Sequence, residues 1–311
     1  MSEFEERRAL FSTPRDWLRY AVSRFRAAGL AYGHGTTTAL DEAAYLILEG
    51  LNLPIDSLDP FLDAALLTHE RERLDALIEA RAATRKPSAY LLNRAYIQGV
   101  PFYVDERVIV PRSFIGELLM TIFAEDNALT GDPLGVGRVL DLCAGGGPLA
   151  ILAARAFPNA KVDAADISAE ALAVARRNVE EHGLAGRIRL FEGDLFDTVE
   201  GERYDLILAN PPYVDEAAIA AFPPEYAAEP RLAHAGGADG LDLVRRILIE
   251  AREHLEPDGA LVCEIGEKRD LLARDFPNLP FVWLDTEESE GEVFLLKASA
   301  FAPPKRQRRR G

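Results

Sequence analysis

The sequence Val139-Leu-Asp-Leu-Cys-Ala-Gly-Gly-Gly-Pro-Leu-Ala-Ile151 carries the strongest structural signal of the chain. A short apolar run is followed by three consecutive glycines and then by apolar residues at helical spacing, which predicts strand, turn and helix. Because glycine has no Cβ, a ligand can lie directly against such a turn. Ligands of open parallel sheets bind at the carboxyl ends of the strands, where this turn falls. The sequence therefore favours a nucleotide-type binding site over a purely structural turn.

Further short apolar runs predict the rest of a sheet. Helical patterns separate several of these runs, an alternation typical of a parallel sheet covered on both faces. The runs span residues 138–142, 161–165, 188–191, 204–208 and 260–264. Two later runs, 281–284 and 293–296, are separated by only eight residues, too few for a helical crossover, and predict an antiparallel hairpin at the sheet edge. We therefore predict an α/β fold.

The N-terminal part of the chain has a different, helical pattern. Thr13-Pro14-Arg15-Asp16 supplies an N-cap, a proline for the first turn and an acid, and the apolar face that follows ends at Gly29. Amphipathic helices are predicted over 41–51 and 70–85, and short strands over 95–99, 101–104 and 107–110. The predicted domains are a helical substrate-recognition domain over 1–92, a linker hairpin over 93–112, a catalytic domain over 113–298 and a basic disordered tail over 299–311.

Composition and charge exclude several classes of protein. The 311 residues carry a net charge of −16, and five of the 35 Lys and Arg residues lie between Lys305 and Arg310, so the preceding residues carry −21. Such a body repels a phosphate backbone, so we expect no direct DNA binding and a basic protein partner. Two cysteines exclude a disulfide framework and a Cys-rich zinc site. No apolar run reaches the ~20 residues of a membrane span, and the N-terminal residues lack the apolar stretch of a secretory signal. We expect a cytoplasmic protein.

Three acids lie at the carboxyl ends of successive predicted strands and suit a nucleotide ligand. Asp141 can accept a hydrogen bond from an ammonium group or anchor the loop, Asp166 can accept from a ribose diol, and Asp194 from an adenine amino group. Gly145-x-Gly147-x-x-Ala150 also satisfies the dinucleotide fingerprint, with Asp166 19 residues past Gly147. A dehydrogenase is therefore an alternative at this point.

Asn210-Pro211-Pro212-Tyr213 comes right after the strand Tyr204–Ala209 and separates these alternatives. An amide or exocyclic amino nitrogen is a poor nucleophile unless both N–H hydrogens are held so that its lone pair faces the electrophile. The Asn210 side-chain carbonyl and the Pro211 backbone carbonyl can accept those hydrogens, and proline adds no competing N–H. Tyr213 offers a ring against a planar group. Beside a nucleotide-type pocket, this motif indicates methyl transfer from S-adenosylmethionine without a metal, which a dehydrogenase does not explain.

Several ordered segments resemble one protein family. They are Gly99-Val-Pro-Phe102, Val110-Pro-Arg-Ser113 with Glu117, the glycine turn, Asn210-Pro-Pro-Tyr213, Glu229-Pro230 and Gly237-Ala-Asp-Gly-Leu-Asp242. From Lys86 to Lys297 the chain resembles the HemK-like glutamine methyltransferases. The resemblance implies a Rossmann-like, seven-stranded class I methyltransferase sheet, mostly parallel with an antiparallel edge hairpin, and a small N-terminal helical domain.

The resemblance also assigns expected site residues. Those implied to contact S-adenosylmethionine are Asp141, Ala144, Gly145, Gly147, Asp166, Ile167, Asp194, Leu195 and Asn210. The catalytic set is Asn210, Pro211, Pro212 and Tyr213, and the substrate-binding set is Phe102, Asn210, Pro211 and Tyr213. No metal is expected. The family's usual Thr-Gly-Ser-Gly is Ala144-Gly-Gly-Gly147 in this chain, which removes two hydroxyls but keeps the backbone path.

The segments Pro111-Arg-Ser-Phe-Ile-Gly-Glu117 and Phe222-Pro-Pro-Glu-Tyr226 look like the PrmB branch of that family. This branch methylates a glutamine of ribosomal protein uL3, which is thus the expected basic partner. Methylation of peptide-chain release factors, or of adenine N6 in a nucleic acid, remains an alternative, as does a non-catalytic ribosome-assembly factor that only senses the ligand.

Overall fold

The structure, a computed structural model, describes residues 3–125, 127 and 129–301. These residues form two units. Unit 1 contains residues 3–96, Pro101–Arg112 and Ala221–Pro230, and unit 2 contains Ile97–Val100, Ser113–Ala220 and 231–301. The segment Ala221–Pro230, which follows the Asn-Pro-Pro-Tyr motif in sequence, thus belongs to unit 1. The predicted basic tail lies outside the described residues from 302 onward, and residues 299–301 form part of a short 3-10 helix.

Unit 1 is built mainly from helices. They are α1 (Glu3–Leu10), α2 (Pro14–Ala27), α3 (Ala39–Gly50), α4 (Thr68–Thr84) and α5 (Ser88–Leu92). The predicted start of α2 is confirmed, since Thr13 and Asp16 cap each other's backbone N–H groups reciprocally. Trp17, Ala21 and Phe25 follow at helical spacing and are fully buried. They pack into one core with side chains of α3 and α4, which orders this unit around its own apolar centre.

Strands β1 (Ala95–Ile97) and β2 (Val100–Phe102) pair as a short hairpin, as predicted. The predicted strand at 107–110 is wrong. Asp105 begins a turn instead, because its carboxylate accepts the Arg107 N–H and its carbonyl accepts the Val108 N–H. Val108 and Val110 are buried without a sheet partner, so burial of the run does not require a strand.

A buried carboxylate holds Ala221–Pro230 within unit 1. Glu229 is 6% exposed and accepts two hydrogen bonds from the Arg112 guanidinium, each 2.9 Å, and one from the Val110 N–H. Glu225, also buried, accepts from the Ala31 N–H at 2.9 Å. These charge-assisted bonds join sequence segments that lie more than a hundred residues apart.

Unit 2 contains the predicted sheet and its covering helices. The strands are β3 (Arg138–Leu142), β4 (Lys161–Asp166), β5 (Ile188–Glu192), β6 (Tyr204–Ala209), β7 (Leu255–Glu264), β8 (Val282–Leu284) and β9 (Val293–Lys297). The helices are α6 (Phe114–Met120), α7 (Pro148–Ala156), α8 (Ala169–Glu181), α9 (Glu216–Ala220), α10 (Asp242–His254) and α11 (Arg269–Asp275). Short 3-10 helices occur at Asp59–Phe61 and Pro224–Ala228 in unit 1, and at Ile122–Ala124, Pro133–Gly135, Asp197–Val199, Arg231–Ala233 and Ala298–Phe301 in unit 2.

The sheet order is β5-β4-β3-β6-β7-β9-β8. The first five strands run parallel, and β9 is antiparallel to both β7 and β8. The predicted Rossmann-like, seven-stranded methyltransferase sheet with an antiparallel edge hairpin is therefore confirmed. No helix in the described part of the chain is long and apolar enough to cross a membrane.

The parallel register brings the chemically interesting loops to one edge of the sheet. Leu142 of β3 pairs with Ala209 of β6, and Ala209 pairs with Cys263 of β7. The carboxyl ends of these parallel strands consequently lie side by side. The glycine loop (residues 144–147) and the Asn-Pro-Pro-Tyr loop (residues 210–213) therefore leave adjacent strands in the same direction.

Candidate active site

The glycine loop leaves room for a ligand against its backbone. Gly145 has φ +53°, and a Cβ built there would have no atom of the described residues within 4 Å. Gly147 has φ +80°, and a Cβ there would lie 3.2 Å from the Cβ of Ala175 in α8. Gly147 thus allows close helix packing, whereas Gly145 borders open space, as expected for a residue that approaches a ligand.

Asp141 presents an unsatisfied acceptor below this loop. The residue is 1% exposed, and its Oδ2 accepts the Ala150 N–H at 2.9 Å. Its Oδ1 has no hydrogen-bond partner among the described residues. Burial raises the pKa of Asp141 to about 8, and the nearby Asp166 carboxylate adds to the shift. A buried carboxylate with one unsatisfied oxygen is costly to the fold, so this position is a strong candidate for binding a donor or cation.

Asp166 organises the glycine loop. Its Oδ2 accepts the Gly145 N–H and its Oδ1 accepts the Ser168 N–H, both at 2.8 Å. Burial raises the pKa of this carboxyl as well. Ser168 in turn caps α8 through the Ala171 N–H. Because a carboxylate has about four lone-pair sites, two remain available, and the predicted ribose contact is compatible with the bonds already made.

Asp194 has a charge partner that the sequence reasoning missed. Its two oxygens accept hydrogen bonds from the Arg246 guanidinium at 3.1 and 3.0 Å. Arg246 lies 52 residues away on α10, so no local pattern connects the pair. The bidentate pair fixes the carboxylate plane. Its predicted contact with an adenine amino group stays a prediction.

The residues around the glycine loop fit S-adenosylmethionine, the cofactor expected from the sequence. Asp141 supplies an unsatisfied acceptor for a cationic ligand, and Gly145 leaves backbone space. Ile167 is 54% exposed and offers an apolar face, whereas Ala144 and Leu195 are buried. Within the described residues, no three His, Cys, Asp or Glu side chains are grouped so that they could hold a metal ion.

The Asn-Pro-Pro-Tyr loop is held from one side by a glycine-rich segment. The Val214 N–H donates to the His234 carbonyl and the Gly236 N–H donates to the Val214 carbonyl. A Cβ on Gly236 would lie 2.7 Å from both the Pro212 oxygen and the Tyr213 Cα. This backbone approach requires glycine and fixes the loop's path. Pro211 is buried, whereas Asn210, Pro212 and Tyr213 are partly exposed.

Glu264 is a further buried acid at this site that the sequence reasoning missed. It ends β7, is 1% exposed and accepts a hydrogen bond from the Tyr213 hydroxyl at 3.0 Å. Burial raises the pKa of Glu264 to about 7, against the opposing effect of its hydrogen-bond donors. The strand-end position that drew attention to Asp141, Asp166 and Asp194 applies equally to Glu264 and is the signal that identifies it.

The structure thus places most predicted site residues at the carboxyl edge of one sheet in unit 2. Phe102 differs, since it lies in unit 1 and is 2% exposed. Its predicted role in substrate binding stays a prediction.

A family model, curated proteins and solved structures are similar to this chain. The family model described as "Methyltransferase small domain" matches residues 117–222. A protein of Bradyrhizobium diazoefficiens is 58% identical over 287 residues, which cover 91% of this chain and 90% of that protein. A protein of Burkholderia pseudomallei is 54% identical over 299 residues, which cover 93% and 95% of the two chains. Both are named ribosomal protein uL3 glutamine methyltransferase. A methyltransferase structure from Pyrococcus furiosus aligns with a TM-score of 0.46 at 20% identity, over 73% of this chain and 98% of that one.

Proposed function

The chain belongs to the family of ribosomal protein uL3 glutamine methyltransferases, and on that premise we propose that it methylates the side-chain amide nitrogen of a glutamine in ribosomal protein uL3. The methyl donor is S-adenosylmethionine, whose sulfonium methyl group is electrophilic without a metal. One observation carries the proposal most directly. The Asn-Pro-Pro-Tyr loop follows β6, which pairs with β3, the strand that leads into the glycine loop.

The loop supplies the acceptors that the reaction requires. In the proposed complex, the Asn210 side-chain carbonyl and the Pro211 backbone carbonyl each accept one N–H of the glutamine amide. The amide is then oriented with its nitrogen lone pair toward the electrophilic carbon. The prolines restrict φ and remove their own donors, which keeps these acceptors for the substrate. The alkylated nitrogen loses its proton readily, so no strong base is needed, and positioning supplies most of the rate enhancement.

The strand-end acids serve binding in this proposal. Burial disfavours the ionised forms of Asp141 and Asp166, and a bound cationic cofactor restores them by pairing with the carboxylates. Asp166 also fixes the backbone of Gly145. The sulfonium group loses its positive charge as the methyl group is transferred. An acidic pocket therefore stabilises the ground state at least as well as the transition state. We therefore assign these acids to cofactor affinity rather than to the chemical step.

The partner and its location are also part of the proposal. The net charge of −16 suits a basic, unassembled ribosomal protein, with electrostatics mainly accelerating and selecting the encounter. A cytoplasmic location follows from this substrate, since bacterial ribosomal proteins are made and assembled in the cytoplasm.

Isotope-labelled S-adenosylmethionine, incubated with the enzyme and a ribosomal extract, tests the proposal. Mass spectrometry of the labelled protein should place the label on a glutamine of uL3. The N210A variant should still bind the cofactor, through the other predicted contacts, but lose more than about 100-fold in rate, because a positioning acceptor is removed. Label on a peptide-chain release factor or on nucleic acid would overturn the substrate assignment, and full activity of N210A would overturn the mechanism.

A further inference from the structure

We propose that Glu264 is a positioning residue for methyl transfer, which acts by holding the Tyr213 ring and, through it, the backbone of the Asn-Pro-Pro-Tyr loop. This inference deepens the proposed function and rests on it. It concerns a residue outside the loop that, in this account, touches neither the substrate nor the cofactor.

Glu264 stands beside the loop because of the sheet register. It is the last residue of β7, and the preceding Cys263 pairs with Ala209, the last residue of β6. The Asn-Pro-Pro-Tyr loop begins at Asn210, which directly follows Ala209. The Glu264 carboxylate consequently lies within hydrogen-bond distance of the loop's last side chain, with 3.0 Å between its Oε1 and the Tyr213 hydroxyl.

The carboxylate is itself held on its other side. Its Oε2 accepts the Ser113 hydroxyl at 2.6 Å and the Phe114 N–H at 3.0 Å, at the start of α6. With 1% exposure, it has no bulk water to compete with these donors. Three donors from two segments thus fix the orientation of one carboxylate. When the carboxyl is ionised, each of these hydrogen bonds is roughly twice as strong as one between neutral groups.

The Tyr213 ring is confined at two further places. A Cβ on Gly266 would lie 2.9 Å from its Cε2 and 3.0 Å from its Cδ2, so the ring lies directly against that backbone. Gly266 has φ +57°, which favours glycine at this contact. At the other end, the Tyr213 Cα lies against Gly236. Tyr213 is therefore held at three places, which are its hydroxyl, the edge of its ring and its Cα.

Confinement of the Tyr213 ring also restricts the backbone that carries the Pro211 carbonyl. Tyr213 follows Pro211 and Pro212, whose φ angles are fixed, so few backbone rotations separate the ring from the Pro211 carbonyl. A ring freed from Glu264 lets the loop sample other orientations. If an oxygen that accepts from the substrate amide is displaced by about 1 Å, the rate can fall on the order of 100-fold.

The kinetic test compares E264Q with E253Q, which makes the same chemical change at an exposed position of α10. We expect kcat on uL3 to fall about 10- to 100-fold in E264Q, with the cofactor Kd and the KM for uL3 nearly unchanged. E253Q should match wild type. Y213F removes the same hydrogen bond from the other partner and should reproduce the loss of kcat. With its amide oxygen on the Ser113 hydroxyl and the Phe114 N–H, the side chain introduced by E264Q presents an N–H group to Tyr213 in place of the carboxylate acceptor. In the Y213F background, E264Q should therefore add less than about twofold, because both changes act on one interaction.

Two outcomes would overturn the inference. One is wild-type kcat in Y213F, which removes a single hydroxyl and keeps the ring, so it does not depend on whether E264Q folds. The other is additivity of the two changes in the double variant.

A spectroscopic readout separates this inference from the proposed function. In protein with isotope-labelled tyrosine, the ring resonance missing from Y213F identifies Tyr213, and it should move in E264Q but not in E253Q. An unmoved resonance would overturn the positioning role even if uL3 is methylated. A wild-type enzyme that fails to methylate uL3 would overturn the proposed function, while the resonance still reports on the Glu264 contact.

Discussion

Asp141 shows at the scale of one residue how a group suited to binding a ligand lowers the stability of the fold. Its pKa is raised from an ordinary value of 3.8 to about 8 because the carboxyl is buried with one oxygen unpartnered among the described residues. Between these values the folded state binds more protons at this group than the unfolded state does. Its contribution to the free energy of unfolding therefore falls as the pH rises from about 4 to about 8, and levels off above that range.

The D141N variant tests this account. Asparagine keeps an acceptor for the Ala150 N–H but does not ionise, so the free energy of unfolding of the variant relative to wild type should increase with pH. The maximum slope for one such group is about 1.4 kcal/mol per pH unit. Thermal melts without cofactor, from pH 5 to pH 9, measure it. The exposed Asp258 provides the control D258N, which should show no such trend.

The same variant should bind S-adenosylmethionine more weakly, because a cationic ligand loses an ionisable partner. Isothermal titration at pH 8 measures the loss. If the free energies of unfolding of wild type and D141N depend on pH in the same way, the ionisation of Asp141 does not destabilise the fold. If the affinity for S-adenosylmethionine is also unchanged, Asp141 is not used for binding.

Individual site residues differ in how far the sequence reveals them. Asp141 and Asp166 were predicted because acids at strand ends fall at the ligand edge of a parallel sheet. The Arg246 partner of Asp194 and the Ser113 partner of Glu264 were not predicted, since they lie 52 and 151 residues away in sequence. Glu264 itself ends a predicted strand, and the strand-end rule, applied once more, identifies it.

At the scale of elements, a glycine-rich segment determines the path of the Asn-Pro-Pro-Tyr loop. Gly236 approaches the loop so closely that a Cβ would lie 2.7 Å from the Pro212 oxygen and the Tyr213 Cα. Since real Cβ atoms do not come this close, one of the two segments has to move when a side chain is added. The loop ends in Tyr213, so such a shift changes the acceptors that we propose for the substrate.

The G236A variant is therefore expected to lose activity without losing cofactor binding. Overpacking of this kind costs about 1–3 kcal/mol of stability, and a displaced acceptor costs on the order of 100-fold in kcat. Steady-state kinetics on uL3 and cofactor titration measure both effects. G186A is the matched control, because Gly186 is exposed and a Cβ there meets no described atom within 4 Å. Equal kcat in the two variants would contradict the proposed coupling.

Sequence patterns identified most elements but not the reason each one forms. All seven strands of the large sheet overlap runs that periodicity predicted, because buried parallel strands are continuous apolar runs. The strand β7 begins at Leu255, five residues before its predicted run. The predicted strand at 107–110 failed because its apolar side chains are buried without a ladder, while Asp105 captures the local N–H groups. Periodicity reports burial, and it does not report which backbone groups pair.

At the scale of the whole molecule, charge should govern the encounter with the substrate. The chain carries −16, and a basic ribosomal protein is attracted to it over distances comparable to the Debye length, about 10 Å at 0.1 M salt. Raising the salt shortens this range and slows association. The loop in which we propose that the chemical step takes place is partly buried, so its charges are screened much less.

We therefore expect kcat/KM for uL3 to fall about tenfold between roughly 0.05 and 0.5 M salt, with kcat changed less than about twofold. Initial rates at limiting and at saturating uL3 measure the two quantities. A short uncharged glutamine peptide serves as a control substrate, since its kcat/KM should depend little on salt. If kcat/KM for the two substrates depended equally on salt, electrostatics would not contribute to the selection of uL3.

The organisation of the whole chain was only partly predictable. The sheet, its edge hairpin and the family follow from ordered motifs, whereas the domain boundaries remain predictions. The structure groups Ala221–Pro230 with the helical unit through Glu225 and Glu229, a long-range association without a local pattern. Such groupings depend on which distant charges meet, and a one-dimensional pattern of apolar and polar residues does not contain that information.

A crystal structure with S-adenosylhomocysteine and a glutamine-containing uL3 peptide tests the central claim most directly. We expect the glutamine NH₂ group to donate one hydrogen bond to the Asn210 side-chain oxygen and one to the Pro211 carbonyl, each about 2.7–3.2 Å long. Its nitrogen should face the sulfur of the bound product. A peptide glutamine bound elsewhere, or these two oxygens bonded to the chain's own donors with substrate present, would contradict it.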